Sequence, residues 1–364
     1  MKLAIGTTVL SKGLANRHID GIGIYTSQLL KHFKRTDLEI AEVDFSAFRF
    51  PFEMHVGIAS LTGLPFIETG TIEETIDLFH ATDHHIPKLR HTPVVATVMD
   101  IIPLVHPEWV SRTLRPLKNF AYKKSIGWAE HIITISDYSK NDLIMHLDID
   151  PSRISVIPLG VNERFFHRSS EEERGRILSR FGIDRPYFLY VGTIQPRKNL
   201  HRILDAYLRL PNPIRRDTAL VIVGRYGWGE DALRDRLNAL NASSDILWLQ
   251  NVADNELPTL MQASAALVYP SLYEGFGLPI LEGFAAETPV ITSNVTSIPE
   301  VASDAAILVN PYNTGEITDA MKMVAENESL RRSLIGKGKE RVMEYSWEKS
   351  AIEHQNVFEK VLSV

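Results

Sequence analysis

Two acidic residues flank a glycine-rich turn in the second half of the chain. Glu274 precedes the turn, and Glu282 lies in the first turn of a helix predicted to begin at Pro279. The N–H groups of Gly277 and Leu278 would lack partners there, and the helix dipole adds positive charge, so the turn suits a phosphate. Each carboxylate can accept hydrogen bonds from hydroxyl groups. One acid for a sugar, one for a ribose and a phosphate between them describe a nucleotide sugar. The alternative is an ordinary strand–turn–helix connection with two surface acids.

A second segment places two cations where another helix is predicted to begin. Arg197 and Lys198 follow Gly192 and Thr193, which come directly after a predicted buried strand. Cations at the N-terminus of a helix oppose its dipole and are costly unless an anion lies beside them. A diphosphate would satisfy both cations. This segment and the two acids together favour a diphosphate sugar more strongly than either motif alone.

A glycine pair near the N-terminus invites a different interpretation. Gly21 and Gly23 open a predicted helix, and Asp44 follows at a distance that suits a dinucleotide-binding fingerprint. Thr26 stands where that fingerprint needs its third glycine, and a long loop separates the first strand from the pair. A nicotinamide or flavin site is therefore disfavoured. The pair is retained as a helix start whose N–H groups can approach phosphate or sugar.

Two groups of residues are candidates for metal binding. Four polar residues crowd the end of a predicted strand: His80, Asp83, His84 and His85. His80 and His84 have the i, i+4 spacing of a pair of metal ligands on a helix. Pro87 and the preceding strand oppose a helix here, which favours a loop at the ligand edge of the sheet. Asp148 and Asp150 form an Asp-x-Asp pair that Pro151 follows at once, which indicates a turn. The sequence therefore requires no metal. It also lacks a phosphate-binding P-loop and a serine nucleophile elbow.

Strand and helix patterns alternate along nearly the whole chain. Short continuous apolar runs, typical of parallel strands buried on both faces, occur in one series over residues 2–157 and a second over 187–309. Amphipathic stretches separate them, which predicts two doubly wound α/β domains. We expect domains over 1–165 and 166–346, with a C-terminal helix over 347–364 that packs back on the first. Ligands of such sheets bind at the carboxyl ends of the strands, where the motifs stand.

Composition limits the classes of function. The chain has 364 residues, 44% hydrophobic and 23% charged, which is typical of a folded globular protein. Its formal net charge of −6 argues against a nucleic-acid partner. The absence of cysteine excludes disulfides, zinc–thiolate sites, iron–sulfur clusters and cysteine nucleophiles. No apolar run is long enough for a signal peptide or a membrane span, so we expect a cytoplasmic protein.

The two motifs of the second domain resemble those of the retaining glycosyltransferases of family 4. The Glu-x7-Glu spacing, the Gly-Phe-Gly-Leu-Pro turn and the Pro-Arg-Lys-Asn segment carry this resemblance, which runs nearly end to end. It implies the GT-B fold, in which two Rossmann-like domains face each other across a cleft. It also implies that Glu274 contacts the donor sugar near the reacting centre and that Glu282 holds the nucleotide ribose. Arg197 and Lys198 would stabilise the leaving diphosphate.

The resemblance extends to the rest of the site. The implied donor-binding residues, apart from Glu282, are Gly23, Gly192, Thr193, Val252, Leu257, Ser271, Gly275, Phe276, Gly277 and Leu278. Gly21 and His106 are assigned to the acceptor side, and Asp100 to catalysis. Met99 stands where family members often carry a histidine before this aspartate, which puts a histidine role in doubt. Thr193 replaces an arginine of some relatives, so fewer cations would contact the diphosphate.

The implied reaction moves a hexose from a nucleotide diphosphate sugar to a hydroxyl of a glycan or polyprenyl-linked glycan. The segment Pro107–Trp109 and the overall pattern are similar to bacterial mannosyl- and rhamnosyltransferases of O-antigen and capsule assembly, which favours a GDP-sugar donor. Front-face attack with the diphosphate taking the acceptor proton is favoured over double displacement through Glu274 or Asp100. No metal or other cofactor is expected. The rival classes are a nucleotide-sugar epimerase and a non-catalytic sugar-nucleotide-binding protein.

A basic stretch in the first domain suggests a further partner. Five cations fall within one predicted helix: Arg112, Arg115, Lys118, Lys123 and Lys124. A stripe of Leu114, Leu117 and Ala121 on the same helix is expected to face the core, which would leave the cations on a solvated face. The alternative is weak, salt-sensitive binding of this face to anionic lipid at the inner side of the cell membrane.

Overall fold

Two six-stranded sheets organise the chain. A computed structural model describes residues 1–16, 20–109, 115–228, 231–241 and 245–363. Two compact units are present: Val161–Tyr345 forms one, and Met1–Gly160 with the C-terminal segment from Ser346 forms the other. All strand pairs in both sheets are parallel. The predicted α/β class with two parallel sheets is confirmed.

The first unit is built from short strands separated by helices. Its strands are β1 (Lys2–Gly6), β2 (Glu39–Val43), β3 (Leu78–Ala81), β4 (Val94–Thr97), β5 (His131–Thr134) and β6 (Ile154–Val156). The helices between them are α1 (Thr8–Ala15), α2 (Gly21–Phe33), α3 (Phe52–Thr62), α4 (Gly70–Glu73), α5 (Ile102–Val105), α6 (Arg115–Ile126) and α7 (Asp137–Leu147). The sheet order is β2-β1-β3-β4-β5-β6, and the central strands β3, β4 and β5 are fully buried, as their continuous apolar runs predict.

The second unit repeats the pattern. Its strands are β7 (Tyr187–Val191), β8 (Ala219–Val223), β9 (Ile246–Leu249), β10 (Ala266–Tyr269), β11 (Val290–Ser293) and β12 (Ile307–Val309). Its helices are α8 (Glu171–Arg180), α9 (Leu200–Arg209), α10 (Asn212–Asp217), α11 (Asp231–Leu240), α12 (Leu257–Gln262), α13 (Leu278–Ala285), α14 (Ile298–Ala302), α15 (Thr314–Glu326) and α16 (Glu328–Val342). The sheet order β12-β11-β10-β7-β8-β9 places β7 beside β10 at the centre.

The boundary between the units lies at Gly160, slightly before residue 165 where the sequence suggested it. The short 3-10 turn Glu163–Phe165 packs against α13, and Phe165 is buried. Arg164 faces Asp254, with 3.9 Å between Nη1 and Oδ2. The turn therefore belongs to the second unit, where both its apolar and its charged side chains find partners.

A last helix, α17 (Trp347–Leu362), returns to the first unit and packs against α2. Ser346 caps it by accepting a hydrogen bond from the Lys349 N–H at 3.0 Å. The buried hydroxyl of Tyr25 on α2 lies 2.7 Å from His354 Nε2 and 2.6 Å from Thr97 Oγ1 on β4. These buried hydrogen bonds fix α17 to the first sheet. None of the described helices is long and apolar enough to span a membrane.

Six of the described helices were not predicted from the sequence, and α1 and α3 are the longest of them. α1 occupies part of the stretch interpreted as a long loop before Gly21, and only Thr8 and Leu10 are buried in it. The buried face of α3 contrasts weakly with the rest of the helix, where Met54 and Leu61 are exposed, and the helix ends at Gly63 in the left-handed conformation. Short helices with few buried positions give weak periodicity, which explains why both were missed. The basic helix α6 is described from Arg115, so Arg112 and Leu114 lie outside the described residues.

The close approach of Gly160 to α17 gives a testable expectation. A Cβ at this glycine would lie 2.2 Å from the backbone nitrogen of Trp347, so Gly160→Ala should destabilise the protein by about 1–3 kcal/mol. Gly336→Ala is the matched control, because a Cβ there meets nothing within 4 Å and alanine favours a helix interior. Thermal unfolding should show a lower Tm for the first variant only. Equal Tm values would contradict the packing described for α17.

Candidate active site

The two motifs of the second unit meet at the carboxyl ends of neighbouring strands. Because β7 pairs with β10, the segments that follow these strands leave the sheet at the same edge. The Leu272 N–H donates to the carbonyl oxygen of Arg197 at 2.8 Å, and the Asn199 side chain donates to the carbonyl oxygen of Pro270 at 2.8 Å. These bonds join the cation segment directly to the glycine-rich turn.

Glu274 stands at the centre of a buried charged cluster. Its Oε2 accepts a hydrogen bond from Arg197 Nη1 at 2.6 Å, and its Oε1 accepts one from Lys198 Nζ at 2.7 Å. The hydroxyl of Tyr269, at the end of β10, donates to the same Oε1 at 2.8 Å and also contacts Lys198 Nζ. Glu274 as a whole is only 6% exposed. Both of its oxygens are therefore engaged by the protein's own donors.

The surroundings fix the protonation state of this cluster. Burial acts to raise the pKa of Glu274, but the adjacent charges of Arg197 and Lys198 lower that pKa to about 2. Burial, reinforced by the Glu274 charge, raises the pKa of Tyr269 well above its usual value. At neutral pH the carboxylate is ionised and the phenol is protonated. Two cations against one carboxylate leave the cluster with a net positive charge.

The structure corrects the reason given for the two cations. From the sequence we expect a bound diphosphate as their anion, whereas the protein itself supplies Glu274. The cations also do not begin a long helix. They lie in the 3-10 turn Pro196–Lys198, and Asn199, with a φ of 62°, separates that turn from α9. The dipole of a single helix gives no indication of these ion pairs, because Glu274 and the two cations lie in segments that follow different strands.

The glycine-rich turn has the geometry expected of an anion site. Gly277 adopts a φ of 109° as the N-cap of α13, which begins at Leu278 and so one residue before the predicted start. No acceptor within the described ranges pairs with the N–H group of either residue. Ser297, which the sequence analysis missed, donates its hydroxyl to the carbonyl oxygens of Glu274 at 2.8 Å and Phe276 at 3.2 Å. The turn is thus held in place with two N–H groups available.

Glu282 differs from Glu274 in its electrostatics. Low solvation raises the pKa of Glu282 to about 7, although the charge of Arg164 acts to lower it and that of Asp254 acts to raise it. Across the part of the chain that the structure describes, no hydrogen bond to its carboxylate is found. A carboxylate with open acceptor positions suits a pair of ligand hydroxyls.

The other donor-side residues vary in accessibility. Gly192 has a φ of 143° and donates its N–H to the carbonyl oxygen of Val223 at 2.9 Å. Partly exposed side chains occur at three of the predicted positions: Thr193, Val252 and Leu257. Gly275 is buried, and so is Phe276, whose ring packs edge-on against Tyr345. Ser271 is fully buried with no hydrogen-bond partner for its hydroxyl among the described residues. Direct ligand contact by these buried side chains stays a prediction.

The glycine pair of the first unit does not present all of its N–H groups to a ligand, contrary to the expectation from the sequence. Asp20 caps α2, and its Oδ1 accepts the N–H of Gly23 at 2.9 Å. The proposal that the Gly23 N–H is open to a phosphate or sugar is therefore wrong in this structure, because an aspartate just outside the predicted helix takes it. Gly21 opens the helix and is exposed.

A cavity of about 470 Å³ lies in the first unit at the ends of β3 and β4. Asp100 and Met99 line it, and Asp100 Oδ1 accepts the N–H of Ile102 at 3.1 Å. His106, predicted on the acceptor side, does not line the cavity. Its Nδ1 lies 3.0 Å from Glu108 Oε1, and its ring stacks on Trp109 at 3.9 Å.

The crowded strand end forms a loop in the same cavity wall, as predicted. Potential ligand atoms of Asp83, His84 and His85 lie within 4.8 Å of one another, so this group has the composition of a metal site. Asp83 Oδ1 and His85 Nδ1 are 2.7 Å apart, however, which is a hydrogen-bond distance. His80 is buried away from them and lies 2.9 Å from Thr97 Oγ1.

The chain is similar to known glycosyltransferases. The family model "Glycosyl transferases group 1" matches residues 174–341, and "Glycosyltransferase Family 4" matches residues 35–165. O-antigen chain mannosyltransferase B of Escherichia coli is 31% identical over 282 residues, covering 77% of this chain and 74% of that protein. O-antigen chain mannosyltransferase RfbU of Salmonella typhimurium is 31% identical over 252 residues, covering 67% and 64%.

A solved structure gives the fold. Sucrose-phosphate synthase from Thermosynechococcus elongatus superposes with a TM-score of 0.78 at 17% identity, covering 100% of this chain and 99% of that one. At this level of identity the likeness concerns the fold alone. The predicted GT-B class is confirmed.

Proposed function

The chain belongs to the family 4 glycosyltransferases, and we propose that it transfers mannose from a GDP-sugar to a hydroxyl of an O-antigen-type glycan, with retention at the anomeric carbon. The observation that carries this proposal is the net positive cluster of Glu274, Arg197 and Lys198 beside a turn with two available N–H groups. The choice of mannose and of the glycan rests on the mannosyltransferases of Escherichia coli and Salmonella typhimurium to which the chain is similar.

The site favours a mechanism in which electrostatics stabilises the leaving group. As the bond between the anomeric carbon and the diphosphate breaks, negative charge grows on the diphosphate oxygens, and Arg197 and Lys198 offset it. The acceptor oxygen forms the new bond on the same face, and its proton passes to the departing diphosphate. The N–H groups of Gly277 and Leu278 bind the phosphates in this scheme.

Glu274 is poorly suited to act as a nucleophile. A low pKa and three hydrogen bonds leave its oxygens with little basicity. Double displacement through this residue is therefore disfavoured. The proposed role is to hold both cations in place and to contact the hydroxyls of the donor sugar. The two cations supply the positive charge that the reaction needs, so the proposal includes no metal.

Ligand-induced stabilisation tests the donor assignment. Thermal unfolding with GDP-, UDP-, ADP- and dTDP-sugars should show the largest rise in Tm for GDP-mannose, since ligand at about 100 times its Kd adds ~2.7 kcal/mol of stability. A larger rise with another nucleotide would overturn the GDP assignment. No rise with any of them would remove the nucleotide-sugar proposal altogether.

The raised pKa of Glu282 predicts pH-dependent nucleotide binding. If the carboxylate accepts the ribose hydroxyls, binding needs its ionised form, and with a pKa of about 7 that form is lost as the pH falls. We expect GDP affinity to be about tenfold weaker at pH 6 than at pH 8. Isothermal calorimetry measures this. In Glu282→Gln the affinity should be weaker throughout and should vary less with pH; an unchanged pH profile would exclude the ribose role.

We also propose weak binding to anionic membranes through α6, with the protein otherwise in the cytoplasm. The predicted core-facing stripe is only partly correct, because Ala121 is buried whereas Leu117 is 48% exposed. Phe120 is likewise exposed, and Lys124 lies over its ring at 5.9 Å. Exposed apolar side chains among lysines suit a surface of anionic lipid. The −6 net charge of the whole chain makes such a local basic face unusual.

Vesicle flotation tests the membrane proposal. Recovery with anionic vesicles should exceed that with neutral ones, fall at high salt, and fall when Lys123→Glu is combined with Lys124→Glu, at ~1 kcal/mol per cation near the surface. Lys322→Glu with Lys349→Glu changes the net charge equally at exposed positions outside α6 and should bind like the wild type. Equal recovery with neutral and anionic vesicles would show that α6 does not bind anionic lipid and has only a structural role.

A further inference from the structure

Thr296, in the loop between β11 and α14, has a backbone conformation that threonine rarely adopts. Its φ of 58° lies in the left-handed region, which favours glycine and disfavours a side chain branched at Cβ. Such strain persists only where the surrounding structure enforces it, and it is concentrated at functional sites. We propose that Thr296 is a positioning residue, which holds the main chain of Glu274 so that the carboxylate meets both cations. This inference rests on the proposed transferase function and adds to it a residue that acts only through Glu274.

Glu274 depends on contacts from outside its own segment. It lies in neither a helix nor a strand, so no regular ladder of hydrogen bonds fixes its main chain. Because β11 pairs with β10, the loop after β11 leaves the sheet beside the glycine-rich turn. The Glu274 N–H donates to Thr296 Oγ1 at 3.3 Å, and the Glu274 carbonyl oxygen accepts from Ser297 Oγ at 2.8 Å. Two consecutive hydroxyls thus bind both polar groups of the Glu274 main chain.

The hydroxyl of Thr296 is oriented for this contact. Its one hydrogen is donated to the carbonyl oxygen of Val295 at 2.7 Å, so toward Glu274 it acts only as an acceptor. Consecutive side chains of an extended chain point to opposite sides, whereas the hydroxyls of Thr296 and Ser297 reach the main chain of the same residue. The left-handed conformation of Thr296 turns the chain between them and so allows both contacts.

Ser297 does not cap its own helix. It is the N-cap of α14, a position where serine normally accepts an N–H from the first helical turn. Its φ of −74° and ψ of −9° are helical rather than extended, and its hydroxyl makes no capping hydrogen bond in the described part of the chain. The hydroxyl instead donates to the carbonyl oxygens of Glu274 and Phe276. Two adjacent residues thus depart from local preference and both contact Glu274, which indicates that the site shapes this loop.

Four substitutions of Thr296 separate the hydroxyl from the strain. Thr296→Val keeps the branched shape and removes the hydroxyl, so kcat for transfer from GDP-mannose to α-mannobiose should fall about tenfold while the GDP Kd by calorimetry is unchanged. Thr296→Ser keeps the hydroxyl and should retain the wild-type kcat. Thr296→Gly and Thr296→Ala both lack the hydroxyl, but only glycine tolerates the left-handed conformation. The glycine variant should therefore have the higher Tm of the two, although kcat falls in both.

Thr318→Val is the matched control. Thr318 lies on α15, and its hydroxyl donates to the carbonyl oxygens of Ala206 at 3.2 Å and Thr314 at 2.9 Å. This variant also removes a bound threonine hydroxyl, and we expect it to leave kcat and the GDP Kd unchanged. A wild-type kcat in Thr296→Val would overturn the inference, and so would a GDP Kd that weakens in parallel with kcat. A Tm of Thr296→Ala equal to or above that of Thr296→Gly would overturn the strained conformation on which the inference is built.

A stability measurement that needs no turnover separates this inference from the proposed function. Urea unfolding of Thr296→Val, Glu274→Gln and the double variant forms a thermodynamic cycle, in which independent residues give additive changes in the free energy of unfolding. Because Thr296 acts through Glu274, the loss of stability caused by Thr296→Val should be smaller when Glu274→Gln is already present. Additive losses would overturn the inference. A coupled cycle in a protein that releases no GDP from GDP-mannose with acceptor would refute the transferase and leave the positioning of Glu274 standing.

Discussion

Replacing Lys198 with alanine should lower kcat by two to three orders of magnitude, about 3–4 kcal/mol of lost transition-state stabilisation. The cluster carries a net positive charge only while both cations are present. In Lys198→Ala the remaining Arg197 is neutralised by Glu274 at 2.6 Å, so the cluster no longer carries a net positive charge to offset the charge that grows on the diphosphate. Release of GDP from GDP-mannose in the presence of acceptor measures the effect.

Substitution of a second lysine tests whether the loss of turnover is specific to Lys198. Lys322 is exposed on α15, and Lys322→Ala should leave kcat at the wild-type value. Wild-type turnover in Lys198→Ala, with protein that is folded by circular dichroism, would exclude the role of the cation pair in departure of the diphosphate.

Glu274→Gln should reduce transfer about a thousandfold, ~4 kcal/mol, while leaving GDP binding as tight as in the wild type or tighter. The variant removes the carboxylate that orients Arg197 and Lys198, yet it leaves both positive charges beside the turn. Calorimetry with GDP and single-turnover transfer from GDP-mannose give the two quantities. Removal of the charge also deprives the cations of their buried partner, so a lower Tm is expected.

Glu282→Gln is the matched comparison for that prediction. Both residues flank the same turn, but only Glu282 is assigned to the ribose, so its variant should weaken GDP binding. Equal losses of GDP affinity in the two variants would refute the division of roles between the acids.

The strands of both units could be predicted because each is a short continuous run of apolar residues in the sequence. The run at Tyr187–Val191 forms a fully buried strand with the predicted bounds, since continuous apolar sequence suits a parallel strand covered on both faces. The run at Ile246–Leu249 also has the predicted bounds, although this strand lies at the edge of its sheet and is fully buried only at alternate residues. The placement of the functional motifs after strands follows from the same alternation. The helix α3 carries no comparable local signal, because apolar residues lie on its exposed face as well as on its buried face.

The contacts within the site could not be predicted, because they depend on strand order. Glu274 meets Arg197 only because β10 lies beside β7, and sequence patterns do not specify which strands are neighbours. For the same reason Tyr269 was overlooked, although its hydroxyl completes the cluster. The Asp83–His85 pair was visible as a crowded loop, but its hydrogen bonds depend on the backbone conformation of that loop.

The most direct test of retaining mannosyl transfer is the anomeric configuration of the product of a single reaction. GDP-mannose and α-mannobiose are incubated with the protein, and NMR follows the donor, the nucleotide and the new glycosidic linkage. We expect one GDP to be released for each α-linked mannose transferred, and no GDP-mannose to be consumed when the acceptor is omitted. A β-linked product, or conversion of the donor without acceptor, would contradict this expectation.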